Sequence, residues 1–134
     1  MKTYTHLLFI MFISFFGKAQ STATNHQVII LGNIADVTAQ DDFLQKLELR
    51  LNEMNSSFTV LLNGDITDKK VSEGADQLVL VKKIMDLVST MDFGNLIIIP
   101  GDRDWSNSGK GGLKNILSIE SAIKSYKKDK GYIK

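Results

Sequence analysis

Phe58-Thr59-Val60-Leu61-Leu62-Asn63-Gly64-Asp65-Ile66-Thr67-Asp68 is the stretch whose reading decides the fold. Its first five residues form a short apolar run rich in β-branched and aromatic side chains, the composition of a buried strand. The run ends at Asn63-Gly64, and the carboxylates Asp65 and Asp68 follow. In an open α/β sheet, ligands bind just beyond the carboxyl ends of the strands. Gly64 permits a sharp turn at that point, which would project Asp65 into the crevice. A strand followed by an Asx-type turn, with Asp65 capping backbone amides, accounts for the same residues without a ligand. This stretch alone does not separate the two readings.

Upstream, Val28-Ile29-Ile30-Leu31 reads as another buried strand, ended by Gly32-Asn33. Between the two runs, Phe43, Leu47, Leu51 and Met54 recur at helical spacing over residues 41–54. Asp41 and Asp42 suit the positive end of that helix. Downstream, Leu78, Val81, Met85 and Val88 mark one face of a second helix over residues 75–91. Asn95-Leu96-Ile97-Ile98-Ile99 is a third strand, stopped by Pro100-Gly101. A glycine-rich loop over 106–112 leads to a third helix over 113–126, with Leu113, Ile116, Leu117, Ile123 and Tyr126 as core contacts. Its Ser108-Gly109-Lys110-Gly111-Gly112 lacks the spacing of a P-loop and reads as a flexible connection. Residues 127–134 read as a frayed basic tail, lysines being favourable beyond a helix C-terminus.

The expected fold class is therefore α/β, a three-stranded parallel βαβαβα unit. Continuous apolar strands imply cover on both faces of the sheet. Strands joined through helices run parallel by right-handed crossovers. All three strand ends should then lie on one edge, bringing Asn33, Asp36, Asp65, Asp68, Asp102 and Asp104 into one region.

Composition permits this. A chain of 134 residues, 43% hydrophobic and 23% charged, is long enough for one domain with a real core. Met1-Lys2 is a basic start, Leu7–Phe16 an apolar run broken only by Ser14, and Gly17-Lys18-Ala19 a small-residue cleavage site. That is the pattern of a secretory signal peptide over 1–19, with a polar spacer over 20–27 and the domain over 28–134. The apolar run is short for a membrane span. A membrane-anchoring helix is the alternative. Export to the periplasm, cell surface or medium is the expected address, with membrane contact only through this segment. Cleavage would remove Lys2 and Lys18 from the 16 basic residues, leaving 14 against 15 acidic ones. Such a balance carries no footprint for nucleic acid. With no cysteine, there is neither a disulfide framework nor thiolate chemistry.

Several carboxylates on one edge repel one another unless a positive charge sits among them, and a divalent cation is the usual answer. Oxygen donors of this kind suit Mg, Mn or Ca. A carboxylate shared by two cations is the core of many phosphate-ester hydrolases. Arg103, between Asp102 and Asp104, offers a guanidinium that can clamp a phosphate. A plain ion pair with the neighbouring acids explains it equally well. Trp105 reads as packing support for the loop.

Gly64-Asp65-Ile66-Thr67-Asp68 and Pro100-Gly101-Asp102-Arg103-Asp104-Trp105, each following a buried strand, resemble the second and third motifs of the calcineurin-like metallophosphoesterase family. The family writes these as G-D-x-x-D/N/Y and G-N-H-D/E, and one branch carries G-N-H-D-W or G-D-R-D-W. Gly32-Asn33-Ile34-Ala35 stands at the place of the first motif, G-D-x-G in acid-phosphatase-like members. The resemblance runs from about Gln27 to Tyr126. It implies half of an αββα sandwich, hydrolysis of a phosphorylated substrate, and two divalent metal ions (Fe, Mn or Zn). By resemblance, Asp65 bridges the metals, and Asp102 stands where the family has a metal-binding Asn. Asn33 stands where the first metal-ligand Asp belongs. Arg103 stands where a His contacts phosphate and leaving group, and arginine, always protonated, can hold phosphate but not act as a general acid.

The family closes its site with histidines from a second half, in G-H motifs. Here the only histidines are His6, within the signal segment, and His26, ahead of the first strand and far from the crevice. The resemblance thus implies the N-terminal part of a longer exported phosphoesterase, inactive alone. The alternatives are a degenerate module that binds phosphate or one cation without turnover, and an unrelated doubly wound interaction domain.

Overall fold

The computed structural model describes residues 25–36, 41–67, 78–105 and 109–132. Strand β1 is Gln27–Gly32, helix α1 Asp41–Asn52, strand β2 Phe58–Asn63, helix α2 Val79–Ser89, strand β3 Gly94–Ile99 and helix α3 Gly109–Asp129. Short 3₁₀ turns lie at Ile34–Asp36 and Arg103–Trp105. Residues 1–19, expected above to be a signal peptide, most of the expected spacer, Asp68 and Ser106–Ser108 lie outside the described residues, and no described helix is long and apolar enough to cross a membrane.

The strands form one parallel sheet in the order β1-β2-β3. Gly32 is level with Asn63, and Asn63 with Ile99, so all three strands end on one edge as the apolar runs predict. With strands added successively in one direction, right-handed crossovers put their helices on the same face. That face holds the core. Phe58, Val60 and Leu62 of β2 are buried against Leu47 and Leu51 of α1 and Val81, Ile84, Met85 and Val88 of α2. Ile29 and Leu31 of β1, and Leu96 and Ile98 of β3, pack on the same cluster.

On the other face, β1 and β3 alternate between partly buried and exposed residues. The expectation of cover on both faces therefore holds for one face only among the described residues. The strand sequences are two-sided, but the described helices all lie on one side.

Helix α3 begins earlier than its apolar periodicity suggests, and its inward face is only partly the expected one: Ile116, Ile123 and Tyr126 pack on the core, but Leu113 and Leu117 do not. Gly112, Asn115 and Ile119 are buried, whereas Leu113 and Leu117 are exposed. The reason is contact with the turn that precedes the helix. A Cβ on Gly112 would lie 2.5 Å from the Trp105 carbonyl oxygen, so only glycine allows the helix to approach this closely. Asn115 Nδ2 donates to the Asp104 carbonyl oxygen at 2.6 Å. A small residue and a polar one fix the register against the leucines. Gly109–Gly112, expected as loop, is the first turn of the helix.

As far as Tyr132 the tail, expected to fray, is capped. Gly131 takes a left-handed φ of 73°, and Tyr132 N donates to the Lys127 carbonyl while Gly131 N donates to that of Lys128. This is a Schellman cap. It folds Tyr132 back, so that the Tyr126 and Tyr132 hydroxyls donate to the Asp86 carboxylate of α2 at 2.7 and 2.9 Å. Lys82 and Lys130 lie 5.4 and 5.5 Å from the centre of the Tyr126 ring. Burial, then the hydrogen bond to Asp86, raises the Tyr126 pKa. A raised value means the neutral phenol is favoured in the fold. Its contribution is complete below the ordinary tyrosine pKa and is lost as pH rises through the higher folded value. Asp86→Ala is expected to cost about 1 kcal/mol in urea unfolding and to speed amide exchange selectively over 126–132. The same loosening should set in for the wild type above about pH 10.

Candidate functional site

The carboxyl edge of the sheet is built from three turns. After β1, Asn33 has a positive φ of 52°, and its N–H donates to the Gly64 carbonyl at 3.3 Å. Ala35 N donates to the Asp65 carbonyl at 2.9 Å, so the first turn is hung on the second. After β2, Gly64 and Asp65 are both left-handed, with φ of 78° and 46°. Gly64 N donates to the Ile99 carbonyl at 2.9 Å, tying the second turn to the end of β3. Non-glycine residues in this region are strained by about 1–3 kcal/mol each unless the surroundings fix them, and they cluster where structure serves a ligand. Asn and Asp tolerate it best, which is why these residue types sit at Asn33 and Asp65.

Asp65 is brought against Arg103. Its Oδ1 accepts the Arg103 backbone N–H at 3.0 Å, and its Oδ2 lies 3.6 Å from Arg103 Nε. The guanidinium is half-exposed, with Asp65 more deeply set beside it. Asp102 stands next to Arg103 on the same rim, exposed, its carbonyl accepting Trp105 N at 3.1 Å. Asn33, Asp65, Asp102 and Arg103 are thus neighbours on one edge. His26 lies at the opposite end of β1, its ring between the Ser57 and Thr59 hydroxyls at 3.0 and 2.9 Å, as expected of a residue outside the crevice.

Asp104 does not belong to the rim. It is fully buried, and its carboxylate accepts the Gly101 N–H at 2.7 Å, the Ile66 N–H at 3.2 Å, and the Thr67 N–H and hydroxyl, each at 2.9 Å. The expectation that it joins the acids of the crevice is corrected. A carboxylate in a low-dielectric interior holds its charge only when its lone pairs are taken by donors, and four donors do so here. The residue fastens the turn after β3 to the turn after β2. Together with Thr67 and Asn115, it is what sequence reading missed. The only hint was its position three residues after Gly101, within reach of a local backbone amide.

No family model, characterised protein or solved structure matches this chain.

For a divalent cation the edge offers Asp65, Asp102 and the Asn33 side-chain carbonyl. These are hard oxygen donors, better suited to Mg or Mn than to Zn. Among the described residues no three His, Cys, Asp or Glu come close enough to share an ion. Asp68 and the Asp36 side chain lie outside that description. The described donor set suits at most one hard cation and does not by itself make a dinuclear centre.

Proposed function

We propose that this edge is the phosphate-recognising part of a metal-dependent phosphoesterase site. One observation supports it above the others. The central strand ends in a left-handed Gly64-Asp65, with the Asp65 carboxylate held against Arg103 at the rim where three strand ends meet. In this reading Asp65 is the principal metal ligand, with Asp102 and Asn33 beside it. Arg103 binds phosphate oxygens through paired N–H donors. When bound, a divalent cation offsets the charge of Asp65 and of the phosphate together. With no histidine on the rim and arginine permanently protonated, no described residue there serves as a general acid. These 134 residues should therefore bind without efficient turnover.

A second reading is favoured by a different observation. Arg103 Nε already lies 3.6 Å from Asp65 Oδ2, so a guanidinium can supply the positive charge the carboxylate needs. The edge would then bind phosphate alone, without metal.

Titration calorimetry with inorganic phosphate, with and without Mn, separates the two. Arg103→Gln is expected to weaken phosphate binding at least tenfold, about 1.4 kcal/mol, under either reading. Under the first, Asp65→Ala abolishes Mn binding and the Mn-dependent part of phosphate binding. Under the second, Mn has no effect in the wild type. Absence of phosphate binding under both conditions overturns both.

A further inference from the structure

Helix α3 turns two contrasting faces to its surroundings. Gly112, Asn115 and Ile119 mark the buried one. On the opposite side, Lys110, Leu113, Lys114, Leu117, Lys124 and Lys128 fall in one stripe by helical spacing, and all six are exposed. Ser121 and Ser125 fill the gaps, and no Asp or Glu lies within the stripe. At about 1.5 Å per residue it runs roughly 27 Å along the helix. Leu113 and Leu117 are 49% and 53% exposed in its midst.

The charge is unevenly placed. Helix α3 carries five lysines against Glu120 and Asp129, a net +3 in a chain whose total is +1, so the remainder is −2. Lysines are favourable at a helix C-terminus, which accounts for Lys127 and Lys128. It does not account for Lys110, in a first turn that holds no acid and where the helix dipole is itself positive. Lys110, Lys114 and Lys128 form no ion pair among the described residues. Lys124 pairs with Glu120, on the border of the stripe, at 2.6 Å.

We propose that this stripe docks the protein on an anionic lipid bilayer. Its lysines call for an anionic partner, and the leucines among them select lipid. A nucleic-acid backbone offers phosphates to the lysines and nothing to Leu113 and Leu117. The headgroup boundary of a bilayer takes both: ammonium groups stay among the lipid phosphates while lysine stems and leucines reach the acyl carbons. A fluid bilayer supplies this pairing all along a straight row, without a matching shape. The contact is independent of residues 1–19, the segment expected above to meet a membrane. Each lysine close to an anionic surface strengthens binding about fivefold, so the three without an ion pair give roughly a hundredfold over a neutral bilayer.

Co-sedimentation of the full chain with vesicles of phosphatidylglycerol and phosphatidylcholine, against phosphatidylcholine alone, tests the proposal. Anionic vesicles should bind roughly a hundredfold more tightly at about 0.1 M salt, and the difference should vanish at about 1 M. Lys110→Gln, Lys114→Gln and Lys128→Gln together should remove most of it, whereas Arg at the same three positions should preserve it. Leu113→Ser with Leu117→Ser should weaken anionic-vesicle binding about fivefold or more. All these positions are exposed, and circular dichroism confirms the fold of each variant. Equal binding to the two kinds of vesicle would overturn the proposal. So would a Gln variant that binds like the wild type, as attachment through residues 1–19 would produce. A leucine variant that loses nothing, the mark of a surface for any polyanion, would overturn it too.

Discussion

Replacing Asp104 by Asn should unfold the protein at a markedly lower urea concentration, with a loss of about 3 kcal/mol or more. The size follows from the geometry. Both carboxylate oxygens are acceptors, one for the Gly101 and Ile66 N–H groups and the other for the Thr67 N–H and hydroxyl. An amide has one oxygen, so whichever way it is turned its NH₂ faces a backbone donor. Leaving a buried donor unpaired costs about 1–3 kcal/mol, and more where the lost partner was charged. Asp104→Ala should cost at least as much, because it adds a cavity. Thr67→Val removes only the hydroxyl contact and should cost about 1 kcal/mol. An Asp104→Asn stability within about 0.5 kcal/mol of wild type would mean that this carboxylate is not the fastening described.

Gly101→Ala is expected to be comparably damaging, for a steric reason. An added Cβ would fall on the Asp65 amide nitrogen and within 2.6 Å of both Asp65 Oδ1 and Gly64 Cα. Two of these three obstacles are backbone of the central strand's turn, which cannot move without breaking the Gly64-to-Ile99 hydrogen bond. Overpacking of this kind costs about 1–3 kcal/mol, and here it also displaces Asp65. Chemical denaturation should show the loss of stability. Phosphate calorimetry should show lost affinity even at temperatures where the variant remains folded. Gly109→Ala makes the control, since nothing lies within 4 Å of its Cβ position, although its φ of 61° adds a small cost.

The strands and the edge they share were legible because apolar runs closed by Gly32-Asn33, Gly64-Asp65 and Gly101-Asp102 leave little choice of topology. The inner faces of α1 and α2 were legible too, since Leu47, Leu51, Val81, Met85 and Val88 follow helical period. Helix α3 was legible at Ile116, Ile123 and Tyr126, which pack on the core, but not where packing depends on what is absent. Gly112 and Asn115 carry no hydrophobic signal, yet they decide which face touches the Arg103–Trp105 turn. Asp104 was placed with the other acids because type and spacing do not reveal whether a carboxylate points to solvent or to four backbone and hydroxyl donors. The tail was read from its lysines alone, although Gly131 and the paired tyrosines hold it down.

The three turns of the rim share one anchorage: Asn33 hangs from Gly64, Asp65 holds the Arg103 amide, and Asp104 binds Gly101, Ile66 and Thr67. A rim so tied is preorganised, and an incoming anion has little backbone left to immobilise. Capture there should follow a single exponential whose rate scales linearly with anion concentration, without a slow closing phase.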